Sequence, residues 1–456
     1  MNAAREAGRT RQVDLTKGPM ARQLLRFAWP LLLLNLCQTM YNLVDAMIVG
    51  RHAGHNAITG VTLGGQINVL ATMFAMGLGT GCSVLIAQYK GALRQDEARA
   101  VMRAGARVMQ AFAVALTVLF LLCGRWLLRL IGTPEEAMDE AARYLFITSL
   151  GLVFVYAFNH ISAVLRGMGD SVRPVIFVAI ASGIHIVLAL LFVSALGLGA
   201  AGAALATVLS QGCSVAIAAV FLRRTGGEFQ IGADLLRPAP GMAGPLLRLS
   251  IPASLQNIMT NLSYTILYSL VNTFGSEATA GVGITARLSG FALLPGLAFS
   301  AAISTAAGQN IGAGKPERAK KAMGIGLAIS LGASLAFLAV FELFAVPIVS
   351  AFAPGEPETI RVGVSYLRVI SVEYVLTAVL NCQNGLIIGA GYTVVPMVSS
   401  MLNAVAARLP LAFFFALSAG FGVTGVAMGN ALAPVLAIIL SFLYIRFGHW
   451  QTGRIR

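Results

Sequence analysis

Long apolar runs recur along this chain, and their spacing sets its architecture. An α-helix rises about 1.5 Å per residue, so about 18 or more apolar residues can cross a hydrocarbon layer of roughly 30 Å. Windows of that kind predict twelve helices, at 24–50, 57–85, 101–124, 144–165, 175–196, 200–222, 248–273, 279–307, 322–347, 364–388, 396–417 and 424–446. The run that organises the rest is the first, LLRFAWPLLLLNLCQTMYNLVDAMIVG, because polar groups interrupt it: Pro30, Asn35, Gln38, Asn42 and Asp45. Gln38, Asn42 and Asp45 follow one another at i, i+4 and i+7, so they share one helix face. An intramembrane carboxylate costs about 2.5 to 3.5 kcal/mol on insertion scales. That face is therefore read as the wet side of a pathway rather than as lipid-facing surface.

Composition agrees with the pattern. The 456 residues are 57% hydrophobic and only 11% charged, with a mean hydropathy of +0.80, which places the chain among polytopic membrane proteins. The net charge of +14 could point to nucleic acid, but the positions of the charges say otherwise. With a cytoplasmic N-terminus, the tails and loops of that side hold 24 of the 32 Lys and Arg, the other side holds seven, and Arg408 stands within a span. This positive-inside bias puts both termini in the cytoplasm of a cell-membrane protein, and no nucleic-acid partner is implied. The polar stretch before the first span lacks the apolar core of a signal peptide. Cys37, Cys82, Cys123, Cys213 and Cys382 all fall in spans and read as small buried residues. His52, His55, His160, His185 and His449 are not spaced for a metal, so no metal or cofactor is expected. Without a catalytic constellation, an intramembrane enzyme is set aside.

One half of the chain repeats the other. At an offset of 222, Arg26, Pro30 and Asn35 fall on Arg248, Pro252 and Asn257, and Asn159, Gly167, Gly169 and Pro174 fall on Asn381, Gly389, Gly391 and Pro396. One residue less aligns Gln88 and Gly91 with Gln309 and Gly312; one more aligns Gly199 and Gly202 with Gly422 and Gly425. Six spans per half is an even number, so both halves enter the bilayer in the same sense. The expected fold is an all-α polytopic protein of two six-helix lobes related by a pseudo-twofold axis along the membrane normal. The expected boundaries are a tail over 1–23, an N-lobe over 24–222, a Gly- and Pro-rich cytoplasmic linker over 223–247, a C-lobe over 248–446 and a tail over 447–456. Two such lobes suggest rocking about a cleft, as in transporters. Glycine clusters such as GLGTG at 77–81 lack a following GK[ST] and read as close helix packing, not phosphate loops.

Four stretches in order carry a family resemblance: the Pro30–Asp45 segment, AVLRGMGDSVRP (Ala163–Pro174), GLGAAGAALATVLSQ (Gly197–Gln211) and GQNIGAGKPERAKKA (Gly308–Ala322). Together, over about residues 20 to 446, the chain resembles the multidrug and toxic compound extrusion (MATE) family. The resemblance implies a secondary transporter that exports lipophilic, often cationic small molecules in exchange for H⁺ or Na⁺. It assigns ion coupling to an N-lobe network that maps onto Asp45, Gln38, Asn159, His185 and Thr207, and a helix bend to Pro30.

The chain also departs from the family pattern. Where the fifth span commonly carries Asn and Asp, this sequence has His185 and Ala189, so the expected partner of Asp45 is an imidazole. The seventh span has Gln256, Asn257 and Asn261 but no acid. On the tenth, Glu373 reads as a helix-end carboxylate at the outer surface, with a second ion site as the alternative. The substrate cavity is expected to use Asn35, Tyr41, Asn42, Asn68, Gln256, Asn261, Tyr264 and Asn381, with Met73, Met76 and Asn384 beside them. The expected partners are lipophilic cations and the bilayer, and the expected state is a monomer. A flippase for a lipid-linked headgroup is the alternative, weakened because an anionic headgroup calls for Arg or Lys within the N-lobe spans.

Overall fold

A computed structural model describes residues 13–52, 55–225 and 239–453, and among these the regular structure is entirely helical. In the first half the helices are α1 (Met20–His52), α2 (His55–Gly91), α3 (Gln95–Leu130), α4 (Glu135–Leu150), α5 (Leu152–Gly167), α6 (Val172–Ala189) and α7 (Gly199–Thr225). In the second half they are α8 (Ala243–Asn272), α9 (Ser276–Ala292), α10 (Leu294–Gly312), α11 (Pro316–Phe352), α12 (Pro357–Gly389), α13 (Val394–Met401), α14 (Leu409–Phe413), α15 (Gly422–Leu432) and α16 (Pro434–Phe447). Ten helical stretches are long and apolar enough to cross a membrane, and the pair α4 and α5, bent by 46° at Gly151, makes an eleventh. The 30-residue α8, rich in Asn, Gln and Ser, completes the set as the counterpart of α1. Six spans per lobe result, as the hydrophobic pattern predicts. Large apolar side chains stay exposed along them, such as Leu122, Trp126, Leu343 and Phe447, as lipid-facing surface requires.

By packing, the described chain forms two compact units: one of Val13, 33–86 and 94–254, the other of 14–32, 87–93 and 255–453. In the first, Ile67, Leu78, Met109, Leu145 and Tyr156 form one core and Ile48, Val49, Ala189, Val193 and Ala203 another. In the second, Leu267, Val282, Phe341, Tyr366, Leu367 and Tyr374 are buried together. Within it, repeat mates make a reciprocal contact. A Cβ on Gly91 would lie 1.9 Å from the Gln309 carbonyl oxygen, and one on Gly312 would lie 2.0 Å from that of Gln88, so only glycine fits at either place. The Gln88 amide nitrogen donates to the Gly389 carbonyl at 2.8 Å beside it. The segment before α1 docks here too: Leu15 is fully buried, its N–H donates to Gln309 Oε1 at 3.3 Å, and its carbonyl accepts from Asn310 Nδ2 at 3.0 Å.

The repeat is written into the backbone as well. Gly199 and Gly422, which open the last span of each lobe, have φ of 54° and 55°, a left-handed conformation that costs little only for glycine. Before each lies a π-helical turn, Leu190–Ala195 and Phe414–Ser418. The second half has one more such segment, Leu402–Arg408. A π turn holds one residue more than an α turn. That is the change the register needs, since the offset is 222 at Pro174/Pro396 and 223 at Gly199/Gly422. Downstream of the extra residue, His185 therefore corresponds to Arg408 and Thr207 to Asn430.

Candidate functional site

The first lobe brings Asp45, His185, Thr207 and Tyr41 together from α1, α6 and α7. His185 Nε2 stands 3.5 Å from Asp45 Oδ1 and 3.3 Å from the Thr207 hydroxyl oxygen. The Tyr41 ring meets the imidazole edge-on, with centroids 4.4 Å apart. Thr207 is anchored by its own donation to the Ala203 carbonyl at 3.0 Å. The His185 side chain is 1% exposed and that of Asp45 20%, so of the two the carboxylate is the more accessible. Among the described residues, Asp45 Oδ1 is buried without a hydrogen bond, and so is His185 Nδ1. A carboxylate oxygen in that position is left needing a positive partner. A charged imidazole, a proton or a small cation would each supply one.

The other coupling candidates divide. Asn159 is half-buried, and its amide donates to the Val155 carbonyl at 2.9 Å, one turn back on its own helix. Gln38 is exposed. Pro30 lies inside α1, which runs unbroken from Met20 to His52. Of the cavity candidates, Asn35, Tyr41 and Asn68 in the first unit are half-buried, as are Gln256, Asn261, Tyr264 and Asn381 in the second. The side chain of Asn42 lies outside the described residues. Met73 is half-buried, Met76 exposed and Asn384 buried, its Oδ1 accepting from Ser441 at 3.3 Å. Among the described residues no group of three or more His, Cys, Asp or Glu could hold a metal.

Glu373 requires a correction. It is not a helix-end carboxylate at the outer surface: it sits midway along α12 and is 2% exposed. The Tyr264 hydroxyl donates to Oε1 at 2.7 Å, Arg408 Nη2 reaches the same oxygen at 3.3 Å, and Asn430 Nδ2 donates to Oε2 at 3.1 Å. The Arg408 guanidinium also lies over the Tyr264 ring, 4.0 Å from its centroid. Sequence reasoning noticed Arg408 only as a lone cation within a span and passed over Asn430. The signal was available in the second register of the repeat, which sets Arg408 on His185 and Asn430 on Thr207. Each lobe thus carries a basic side chain from its fifth span, a polar one from its sixth and a tyrosine from its first, gathered around an acid.

A doubled, twelve-span helical chain with an ionisable cluster inside a lobe is the architecture of a multi-pass membrane transporter. The MatE family model matches residues 30–191 and again 252–414, two copies whose starts differ by the 222 residues of the internal repeat. The chain belongs to that family of MATE transporters. It is 30% identical to "Probable multidrug resistance protein YpnP" of Bacillus subtilis (strain 168), with 97% of this chain and 98% of that one covered. It is 26% identical to "Probable multidrug resistance protein NorM" of Thermotoga maritima, over 94% and 93%. Among solved structures, the outward-facing conformation of a multidrug resistance MATE family transporter of the MOP superfamily matches with a TM-score of 0.89 and 26% identity. That match covers 95% of this chain and 97% of the other.

Proposed function

We propose that this transporter is an H⁺- or Na⁺-coupled antiporter that exports lipophilic, often cationic small molecules from the cytoplasm by alternating access, with Asp45 as the coupling group. The observation that carries the reading is the buried Oδ1 of Asp45, with an imidazole at 3.5 Å and no hydrogen bond among the described residues. A carboxylate so placed gains much by taking up a cation. Taking one up removes the charge that attracts a cationic cargo, so one group links two ligands. A ligand moves a conformational equilibrium only by its differential affinity for the two states. Coupling follows because the charged and neutralised forms of Asp45 prefer different partners, His185 and Thr207 being the nearest. The protein works as a monomer in the cell membrane with both termini cytoplasmic, in keeping with the loop charges.

The test is efflux of a fluorescent cationic dye from proteoliposomes, under a proton gradient alone and then under a sodium gradient alone. One of the two should drive efflux, and Asp45→Asn should abolish it while still inserting and melting as the parent does. Efflux by Asp45→Asn at the parental rate, or by neither gradient in the parent, refutes the reading.

A further inference from the structure

We propose that Arg408 is a built-in counter-cation: its guanidinium occupies, on a tether, the cation position of a site formed by Glu373, Tyr264 and Asn430, and so keeps the second lobe from binding a coupling ion. The inference builds on the reading of Asp45 as the coupling group, since it explains why the buried Glu373 takes no part.

Three observations carry it. The position that the guanidinium fills is chemically that of a cation, with a carboxylate oxygen at 3.3 Å on one side and the face of the Tyr264 ring 4.0 Å away on the other. Next, the register makes Arg408 the counterpart of His185 and Asn430 the counterpart of Thr207, so the same scaffold positions carry a titratable base in one lobe and a permanently charged one in the other. The π segment Leu402–Arg408, which absorbs the extra residue, ends on the arginine itself. Finally, the pair is poorly arranged as a purely structural one. Arg408 is 2% exposed, yet its Nε and Nη1 have no hydrogen-bond partner among the described residues. A buried pair adds stability only when its remaining donors are satisfied. What this geometry does secure is neutralisation of Glu373.

Removing the guanidinium should therefore unveil a cation site. Oxygen ligands are at hand: both Glu373 oxygens, the Tyr264 hydroxyl, and Asn430 Oδ1, which has no partner among the described residues. The other ionisable groups around Glu373 are Tyr268, Tyr366 and Tyr374, and tyrosines stay neutral near pH 7.5. The expected ligands are a monovalent metal ion or free guanidinium.

The experiment uses purified full-length protein in the Asp45→Asn background, so that ions binding at Asp45 do not contribute. At pH 7.5 and constant ionic strength, Arg408→Ala should melt several degrees higher with millimolar guanidinium or Na⁺, saturably. Arg408→Ala with Glu373→Gln, and the background protein with Arg408 intact, should show no such rise. A saturable rise in the protein with Arg408 intact, lost on Glu373→Gln, overturns the proposal, as does an Arg408→Ala protein that responds to neither cation. If Arg408→Ala does not fold, the Glu373→Gln, Arg408→Met double variant on wild-type Asp45 decides. It should export with the parental number of ions per dye, and a lower ratio overturns the proposal. Because melting needs no transport, an error in the role of Asp45 would appear in the efflux test and leave this one readable.

Discussion

The two lobes set a basic and a polar side chain at matching positions beside an acid and make different devices of them. In the first, Asp45 comes from α1, its side chain is 20% exposed, and it faces a histidine at 3.5 Å. In the second, Glu373 comes from α12, is buried, and holds three donors within 3.3 Å, one of them a guanidinium. The acid itself has moved: the counterpart of Asp45 is Leu267, and that of Glu373 is Gly151, where the fourth span of the first lobe bends by 46°. A Cβ at Gly151 would lie 2.5 Å from Val208 Cγ2, so a side chain at that corner would have to push Val208 aside. In α12, which runs uninterrupted from Pro357 to Gly389, the same register position holds a glutamate. The difference teaches that a duplicated scaffold keeps places for side chains; on the proposed reading, exposure and the strength of the base decide whether an acid there serves ions or neutralises itself.

The sharpest way to break this comparison is to neutralise each acid in turn. Asp45→Asn should abolish coupled efflux yet change stability by less than about 1 kcal/mol, because it removes a half-buried group whose Oδ1 accepts no hydrogen bond among the described residues. Glu373→Gln strands a buried guanidinium, so stability should fall by about 3 to 5 kcal/mol. Thermal melting and dye efflux on both variants check the pair. Equal melting losses in the two lobes would end the distinction.

A second variant converts one device into the other. His185→Arg places a permanent cation beside Asp45, as Arg408 stands beside Glu373, and should cut efflux at least tenfold with the protein still folded. His185→Asn, which brings in the residue the resemblance leads one to expect, should keep efflux within about threefold, a difference of well under 1 kcal/mol in barrier height. An active His185→Arg protein would show that a fixed charge at this position does not silence the acid.

Most of the fold was legible in the sequence, because a bilayer demands long apolar helices with internally satisfied backbones, and such runs are visible without tertiary information. The repeat was legible for the same reason, through paired prolines, glycines and asparagines. Of the candidate site, the Asp45, His185 and Thr207 grouping could be read from the family pattern, and the three do come together. The second cluster could not be read that way. From the sequence Glu373 reads as a helix-end carboxylate, whereas α12 extends from Pro357 to Gly389 and carries it at mid-length. Arg408 was legible only through the 223-residue register of the repeat, because the π turn that absorbs the one-residue shift leaves no hydrophobic signature.

The shared backbone offers a control for the comparison. Gly199→Ala and Gly422→Ala should each cost about 1 kcal/mol or more, since both force a Cβ onto a left-handed residue, at φ of 54° and 55°. Melting should shift by similar amounts in the two variants, in contrast to the unequal losses expected at the two acids. A silent substitution in one lobe would mean that the repeat does not extend to its turns.

The gentlest probe touches the matched polar positions, Thr207 and Asn430. Thr207→Val removes a 3.3 Å contact with His185 Nε2 while keeping the shape of the side chain. A neutral hydrogen bond is worth about 0.5 to 1.5 kcal/mol, so efflux should weaken by roughly two- to tenfold, with little change in melting. Asn430→Leu removes a donor 3.1 Å from a buried carboxylate oxygen. Hydrogen bonds to charged groups are worth about 1.5 to 3 kcal/mol, so this variant should lose stability while the ions exported against remain the same in number. On the proposed reading, Thr207 steadies the partner of a carboxylate whose charge changes during the cycle, whereas Asn430 helps to hold a pair that keeps its charge. If Asn430→Leu alters the ion ratio, or if Thr207→Val costs stability and spares efflux, the two clusters are more alike in action than their geometry argues.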